Sequence, residues 1–143
     1  MTLQNSFLRI VFLSLLFALG SVANAQYKID LQVNGLRDSS IIFGYYFGEG
    51  RYVQDTAKLD AKGHATFKRD SSLAKGLYLF LLPTGESLDL LIGDQQKFTF
   101  SVDMADLRNT QKVEGASLSQ AFLDFQTFMG RMQQKGEKVR KED

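Results

Sequence analysis

Apolar and polar residues alternate along much of the chain beyond residue 26, which is the period of strands with one buried and one wet face. The first such segment runs from Tyr27 to Val33, and the turn-forming pair Asn34 and Gly35 follows it. The next, "SIIFGYYF" at residues 40–47, is rich in β-branched and aromatic residues and ends at a glycine. We predict a strand in each segment.

Later segments continue the pattern. The run "RYVQDTAKL" begins near Tyr52, and residues 60–63, "DAKG", have the composition of a hairpin loop into "HATFKR". The run "LYLFLLP" is the most apolar segment beyond residue 25, which predicts a central strand ended by Pro83, the single proline. The segments "LDLLIG", "KFTFSV" and "KVEG" complete seven or eight short strands. The fold class is therefore mainly β, an antiparallel β-sandwich or partly open barrel, and a C-terminal α-helix follows.

The period changes to that of a helix near Ser117. This serine precedes Gln120 by three residues, the spacing of a capping box. Large apolar residues then recur at intervals of three and four, which places them on one helix face, with Ala121 and Phe128 widening the stripe. The predicted docking face consists of Leu118, Phe122, Phe125, Met129 and Met132. So much apolar surface predicts packing on the sandwich, a partner or a following domain.

The N-terminus has the features of a secretory signal peptide. Arg9 supplies the positive charge, residues 10–19 form an apolar run, and Ala23 and Ala25 form an A-x-A ending. We predict cleavage after residue 25 and export to the periplasm or cell envelope of a Gram-negative bacterium. The apolar run is shorter than the ~20 residues that span a bilayer, which argues against a membrane anchor. Cleavage would remove this run, and no membrane span is expected in the remaining chain.

Charge and cysteine content narrow the function classes. Without residues 1–25 the chain has 16 basic and 16 acidic residues, and this neutrality argues against nucleic acid as a partner. The chain has no cysteine, so it performs no thiol chemistry itself and its stability must come from a buried core. We divide it into a β-sandwich domain at residues 26–115 and a helix with a charged tail at residues 116–143.

Candidate catalytic residues are few. His64 is the only histidine, and one imidazole with scattered carboxylates predicts neither a metal site nor a hydrolytic triad. The glycines of "GYYFGEGRY" lack the lysine of a phosphate-binding loop. We therefore expect no enzyme activity, no cofactor and no metal. The tyrosines Tyr45, Tyr46 and Tyr52 either pack in the core or form a surface that binds a sugar or a protein.

The order of the segments resembles a β-rich domain of unknown function found N-terminal to thioredoxin-like (AhpC/TSA, TlpA-like) domains in exported Bacteroidetes thiol-disulfide oxidoreductases. The resemblance is carried by "YKIDLQVNGLRDSSIIFGYYF", "VQDTAKLDAKGHATFK", "KGLYLFLL", "LDLLIGDQQKFTFSVD" and "KVEGASLSQAFLDF". Ala65 and Thr66 depart from the family's G-x-F pattern. The family's C-x-x-C has no counterpart in this sequence, so no catalytic residue is carried over.

The resemblance implies a non-catalytic accessory domain that positions a redox domain, mediates dimerisation or holds a client protein. A protein partner or a following thioredoxin-like domain is then expected, and the last helix is expected to begin a connector to it. A homodimer is a further expectation. The alternative hypothesis is a freestanding periplasmic protein that binds a ligand or glycan through the tyrosines, or a β-sandwich subunit of an envelope assembly.

Overall fold

The computed structural model describes residues 25–142. The predicted signal peptide lies outside the described residues, apart from Ala25. The chain forms eight strands, a short 3-10 turn at Met104–Asp106 and one long helix, α1, at Ser117–Glu142. The strands are β1 Tyr27–Asn34, β2 Ser40–Phe47, β3 Gly50–Lys58, β4 His64–Arg69, β5 Gly76–Leu81, β6 Ser87–Ile92, β7 Lys97–Asp103 and β8 Lys112–Glu114.

The strands form two four-stranded sheets with the orders β4-β1-β7-β8 and β3-β2-β5-β6. This confirms the predicted mainly β sandwich, and the sheets do not close into a barrel. One strand pair differs from the antiparallel prediction, because β1 runs parallel to β7. Parallel neighbours need a long crossover connection. Here the chain supplies it by passing through the second sheet between β1 and β7.

Aromatic rings join the two sheets in the core. Phe80 of β5 lies 5.1 Å from Phe100 of β7, and Phe43 of β2 lies 5.5 Å from Phe67 of β4, between ring centroids. All four side chains are at most 1% exposed. Offset and edge-on ring pairs of this kind add to the stability gained from burial. The core is therefore continuous from one sheet to the other.

Strand β5 is the apolar centre of its sheet, as predicted, and it lies between β2 and β6. Phe80 packs inward, whereas its neighbour Leu79 is buried on the outer face of the sheet. Leu79 lies over Gly44, where a Cβ would be only 2.7 Å from the carbonyl oxygen of Tyr52. Glycine is thus required at position 44 by close backbone approach.

The hairpin between β3 and β4 forms where the sequence predicts it. The Asp60 carboxylate accepts the backbone N–H groups of Lys62 and His64 at 2.8 and 3.0 Å. These hydrogen bonds hold the pKa of Asp60 below its usual value. At the other end of β4, Arg69 forms a 2.9 Å ion pair with Asp55 of β3. The edge strands β3 and β4 are therefore joined along one side of the sandwich.

Helix α1 lies on the opposite side of the sandwich, against the edge strands β6 and β8. The predicted capping box at its start is wrong. Gln95, in the loop before β7, accepts the N–H and the hydroxyl hydrogen of Ser117 at 2.7 and 2.9 Å. Gln120 instead accepts the backbone N–H of Val113 in β8. The helix start is thus attached to both sheets rather than closed on itself.

Candidate functional site

One long side of helix α1 rests on the sandwich. Leu123 is 3% exposed, and the hydroxyl of Ser119 donates a hydrogen bond to the carbonyl of Leu91 in β6. Ala116, just before the helix, is also buried. Successive helical residues are separated by about 100°, so Ser119 and Leu123 lie on one side. We call this side the proximal face.

The docking face predicted from the sequence lies largely on the other side. Phe125, Met129 and Met132 are between 42% and 61% exposed, and Phe128 beside them is 58% exposed. Phe122 is partly buried against the core at the border of the two sides. Leu118, half exposed, rests on Gly93, where its Cδ2 would be 2.7 Å from an added Cβ. We call the set Leu118, Phe122, Phe125, Phe128, Met129 and Met132 the distal face.

The sequence carries a weak signal for the proximal face, which the sequence reasoning missed. Ser119, Leu123, Thr127 and Gly130 recur at intervals of four, four and three, and all are at least partly buried. Thr127 and Gly130 face a hollow that also includes Arg108. Small and polar residues do not form an apolar stripe, although small side chains let a helix approach neighbouring strands closely. The sequence pattern therefore indicates only the stripe of bulky residues.

The last three turns of α1 extend beyond the sandwich, and every residue from 131 to 142 is exposed. Basic residues outnumber acidic ones in this segment. The basic residues are Arg131, Lys135, Lys138, Arg140 and Lys141, and the acidic ones are Glu137 and Glu142. The distal face thus continues into a positively charged helical segment.

The three candidate tyrosines do not converge on one surface. Tyr45 is half-buried, with its ring 5.5 Å from Tyr52 and 6.1 Å from Tyr78. Tyr46 lies on the outer face of the sheet and donates a 2.8 Å hydrogen bond to Asp89. Tyr52 is 50% exposed. Of these side chains, Tyr52 offers the most free ring surface for a ligand.

Burial makes three tyrosines, Tyr27, Tyr46 and Tyr78, poor nucleophiles. Loss of solvent raises the pKa of Tyr46, and the hydrogen bond to the Asp89 carboxylate raises it further. Burial is also the main cause of the raised pKa values of Tyr27 and Tyr78. All three phenols therefore stay protonated at neutral pH. The hydroxyl groups of Tyr46 and Tyr78 donate hydrogen bonds to Asp89 and to the carbonyl of Ala74 rather than acting as reactive oxyanions.

A polar depression of about 560 Å³ lies on the outer face of the sheet that contains β1. It includes His64 together with hydroxyl, amide and charged side chains. Several of these groups are already paired, since Thr66 donates to Asp30 at 2.7 Å and Lys112 contacts Glu114 at 2.6 Å. Among residues 25–142, no three histidine, aspartate or glutamate side chains are grouped to hold a metal ion. The depression has the character of a solvated sheet face.

No helix within residues 25–142 is both long enough and apolar enough to cross a membrane.

The family model described as domain of unknown function (DUF4369) matches residues 27–122 of the chain. The match spans all eight strands and ends at Phe122, in the second turn of α1. Comparisons with curated proteins and with solved structures gave no match. Since the family model covers more than half of the chain, the protein belongs to the DUF4369 family of domains of unknown function.

Proposed function

We propose that the chain is a non-catalytic exported accessory domain that acts through protein contacts made by the distal face of α1. The observation that supports this most is the exposure of Phe125, Phe128 and Met132, each at least half exposed on one side of a regular helix. Full burial of such a side chain is worth about 1.5 to 3 kcal/mol. Contiguous exposed apolar patches on soluble proteins commonly mark interaction sites.

The proposed partner class follows from the resemblance to domains that precede thioredoxin-like domains. The chain has no cysteine and so supplies no thiol-disulfide exchange itself, and its contribution to a thiol-disulfide system would be to position a redox domain or its client. The charge balance also fits a protein partner better than nucleic acid, because the sandwich carries no basic excess. The contact surface is the distal face rather than the polar depression around His64.

A second candidate function is ligand or glycan binding at Tyr52. Its ring is half exposed and stacked on Tyr45, and an aromatic ring held in this way can stack on a sugar. The support is narrower than for the distal face, because Tyr46 is bound to Asp89 on the other side of the sheet. Saturable change in tyrosine fluorescence on titration with oligosaccharides, lost in Tyr52→Ala, would favour this function.

Site-specific photo-cross-linking in the native host tests the leading proposal. A benzophenone amino acid replaces Phe125 on the distal face or, as a matched control, Phe47, which is 74% exposed at the end of β2. We expect discrete protein adducts from position 125 and none from position 47. No adduct at 125, or the same adducts from both positions, would contradict the proposal.

An activity measurement tests the non-catalytic part of the proposal. The purified chain is expected to show no reduction of insulin disulfides above the dithiothreitol background, because it has no thiol to exchange. Turnover that persists through repeated purification would overturn this part.

A further inference from the structure

The apolar positions of α1 follow a seven-residue repeat that extends beyond the distal face. Starting at Leu118, the steps alternate between four and three residues as far as Val139, which is 62% exposed. Apolar residues occupy every position of the repeat except Gly136. The full series is Leu118, Phe122, Phe125, Met129, Met132, Gly136 and Val139. We call it the heptad seam.

A seven-residue repeat indicates what kind of surface covers the seam. A straight helix turns once in about 3.6 residues, so a stripe with a period of 3.5 drifts around it. The stripe stays in contact along its length only when the helix winds around another helix. The repeat spans three heptads, and its second half lies where residues 131–142 extend beyond the sandwich. Leu118 and Phe122 rest partly on the sandwich, and the seam is exposed from Phe125 to Val139. A helix fits this exposed length, whereas a flat sheet would contact only part of it.

Charges beside the seam indicate the chemistry of that helix. Four positions flank the seam in its last heptads, where charged residues of partner helices meet; two are basic, Lys135 and Arg140, and the others are Gln133 and the acidic Glu142. Arg131, Lys138 and Lys141 add further positive charge to the same exposed turns. Acidic residues on a partner helix would be attracted to this segment and would help to fix its register.

A second copy of the chain meets this requirement poorly. In a parallel pair in register, Lys135 of one helix would face Arg140 of the other, and like charges at these positions oppose pairing. In an antiparallel pair, the basic turns would lie along residues 117–130, where Asp124 is the single acidic residue. Neither arrangement neutralises the basic segment.

We propose that the heptad seam of α1 forms a coiled coil with an amphipathic partner helix that has apolar residues at its core positions and acidic residues beside them. This inference rests on the proposed function and specifies its partner. It also assigns a role to the exposed basic turns, which select the partner by charge while the apolar seam supplies the contact area.

Binding of designed peptides tests the inference. The probe is a labelled peptide of about four heptads with leucine at the core positions and glutamate at the flanking positions, and the control has lysine in place of glutamate. Fluorescence anisotropy with the chain is expected to give a Kd at least about tenfold lower for the glutamate peptide at low salt. The difference should shrink in about 1 M salt, where charges are screened within about 3 Å.

Two variants of the chain separate contact at the seam from charge alone. Met132→Asp places an acid in the seam, and Gln134→Asp places the same acid on an exposed position away from it. We expect Met132→Asp to weaken binding of the glutamate peptide at least about tenfold and Gln134→Asp to weaken it much less. Circular dichroism and urea unfolding of both variants check that each remains folded.

Four results would contradict the coiled coil. Equal affinity for the two peptides, equal loss in the two variants or no binding of the glutamate peptide would overturn it. So would a dimer of the chain itself that Met132→Asp dissociates, since a second copy would then occupy the seam. If these tests fail while position 125 still forms cross-links in the host, the coiled coil is wrong and the proposed protein-contact function stands.

Discussion

On the proximal face of helix α1, small side chains and Leu123 lie against the edges of β6 and β8, whereas on its distal face bulky side chains such as Phe125 lie in water. The face with less apolar surface is the one that the sandwich buries. Apolar area alone therefore does not decide which side of this helix packs on the fold.

Hydrogen bonds to the sheet edges account for the difference. An edge strand has backbone groups without partners inside its sheet. The carbonyl of Leu91 in β6 accepts the Ser119 hydroxyl hydrogen, and the N–H of Val113 in β8 donates to Gln120. Large side chains at these positions would hold the helix too far from the strands for such bonds. The proximal face thus pairs with backbone groups of both sheets, and the large side chains of the distal face stay exposed.

The largest expected effect comes from the buried leucine. Leu123→Ala should lower the free energy of unfolding by about 2 to 4 kcal/mol, because it leaves a cavity beside both edge strands. Phe125→Ala removes more apolar atoms yet should change stability by less than about 0.5 kcal/mol, because the ring is already in water. Urea unfolding measures both. A larger loss for Phe125→Ala would reverse the assignment of the two faces.

A smaller effect is expected at the hydrogen bond between the helix and β6. Ser119→Ala should lower the free energy of unfolding by about 1 kcal/mol, since the carbonyl of Leu91 loses its side-chain donor in a buried position. Ser71→Ala, on an exposed loop, serves as the control. Equal stability of the two variants would mean that this bond does not help to hold the proximal face.

Loss of the hydrogen bonds at the start of α1 should lower the free energy of unfolding by the same amount or slightly less. Gln95→Ala is expected to cost about 0.5 to 1 kcal/mol, the usual value for loss of a capping side chain. Ser117 donates twice to Gln95, so the effects of Gln95→Ala and Ser117→Ala should sum to more than the loss in the double variant. Additive losses in urea unfolding would argue that the two residues act independently.

The smallest expected effect concerns Asp60, in the hairpin far from the helix, and is a change in how stability depends on pH. The pKa of the Asp60 carboxylate is lowered in the folded chain, so its contribution is present above the unfolded value of 3.8 and is lost as pH falls through the lower folded value. Asp60→Asn should therefore be less stable than the parent near neutral pH and approach it in acid. Leu123→Ala should instead lower stability by a similar amount at every pH. Urea midpoints between pH 2 and pH 7 distinguish the two behaviours.

The strands were predictable because alternation is strong in segments such as residues 27–33 and 97–102. The parallel pairing of β1 with β7 could not be predicted, since alternation identifies the buried face of a strand but not the neighbouring strand. For the helix, spacing identified the bulky stripe, but contact with the sandwich depends on Ser119, Gln120 and Gln95. Their bonds join residues up to 28 positions apart, which a local pattern cannot show.

The oxidation rates of Met129 and Met132, in the native host and in the purified chain, test most directly whether the distal face is covered by a protein. Met104, the partly buried first residue of the 3-10 turn, provides the internal reference. Sulfoxide formation at each methionine is measured by mass spectrometry after a peroxide pulse. We expect Met129 and Met132 to react faster than Met104 in the purified chain and to lose that advantage in the host. Unchanged ratios in the host would contradict the account.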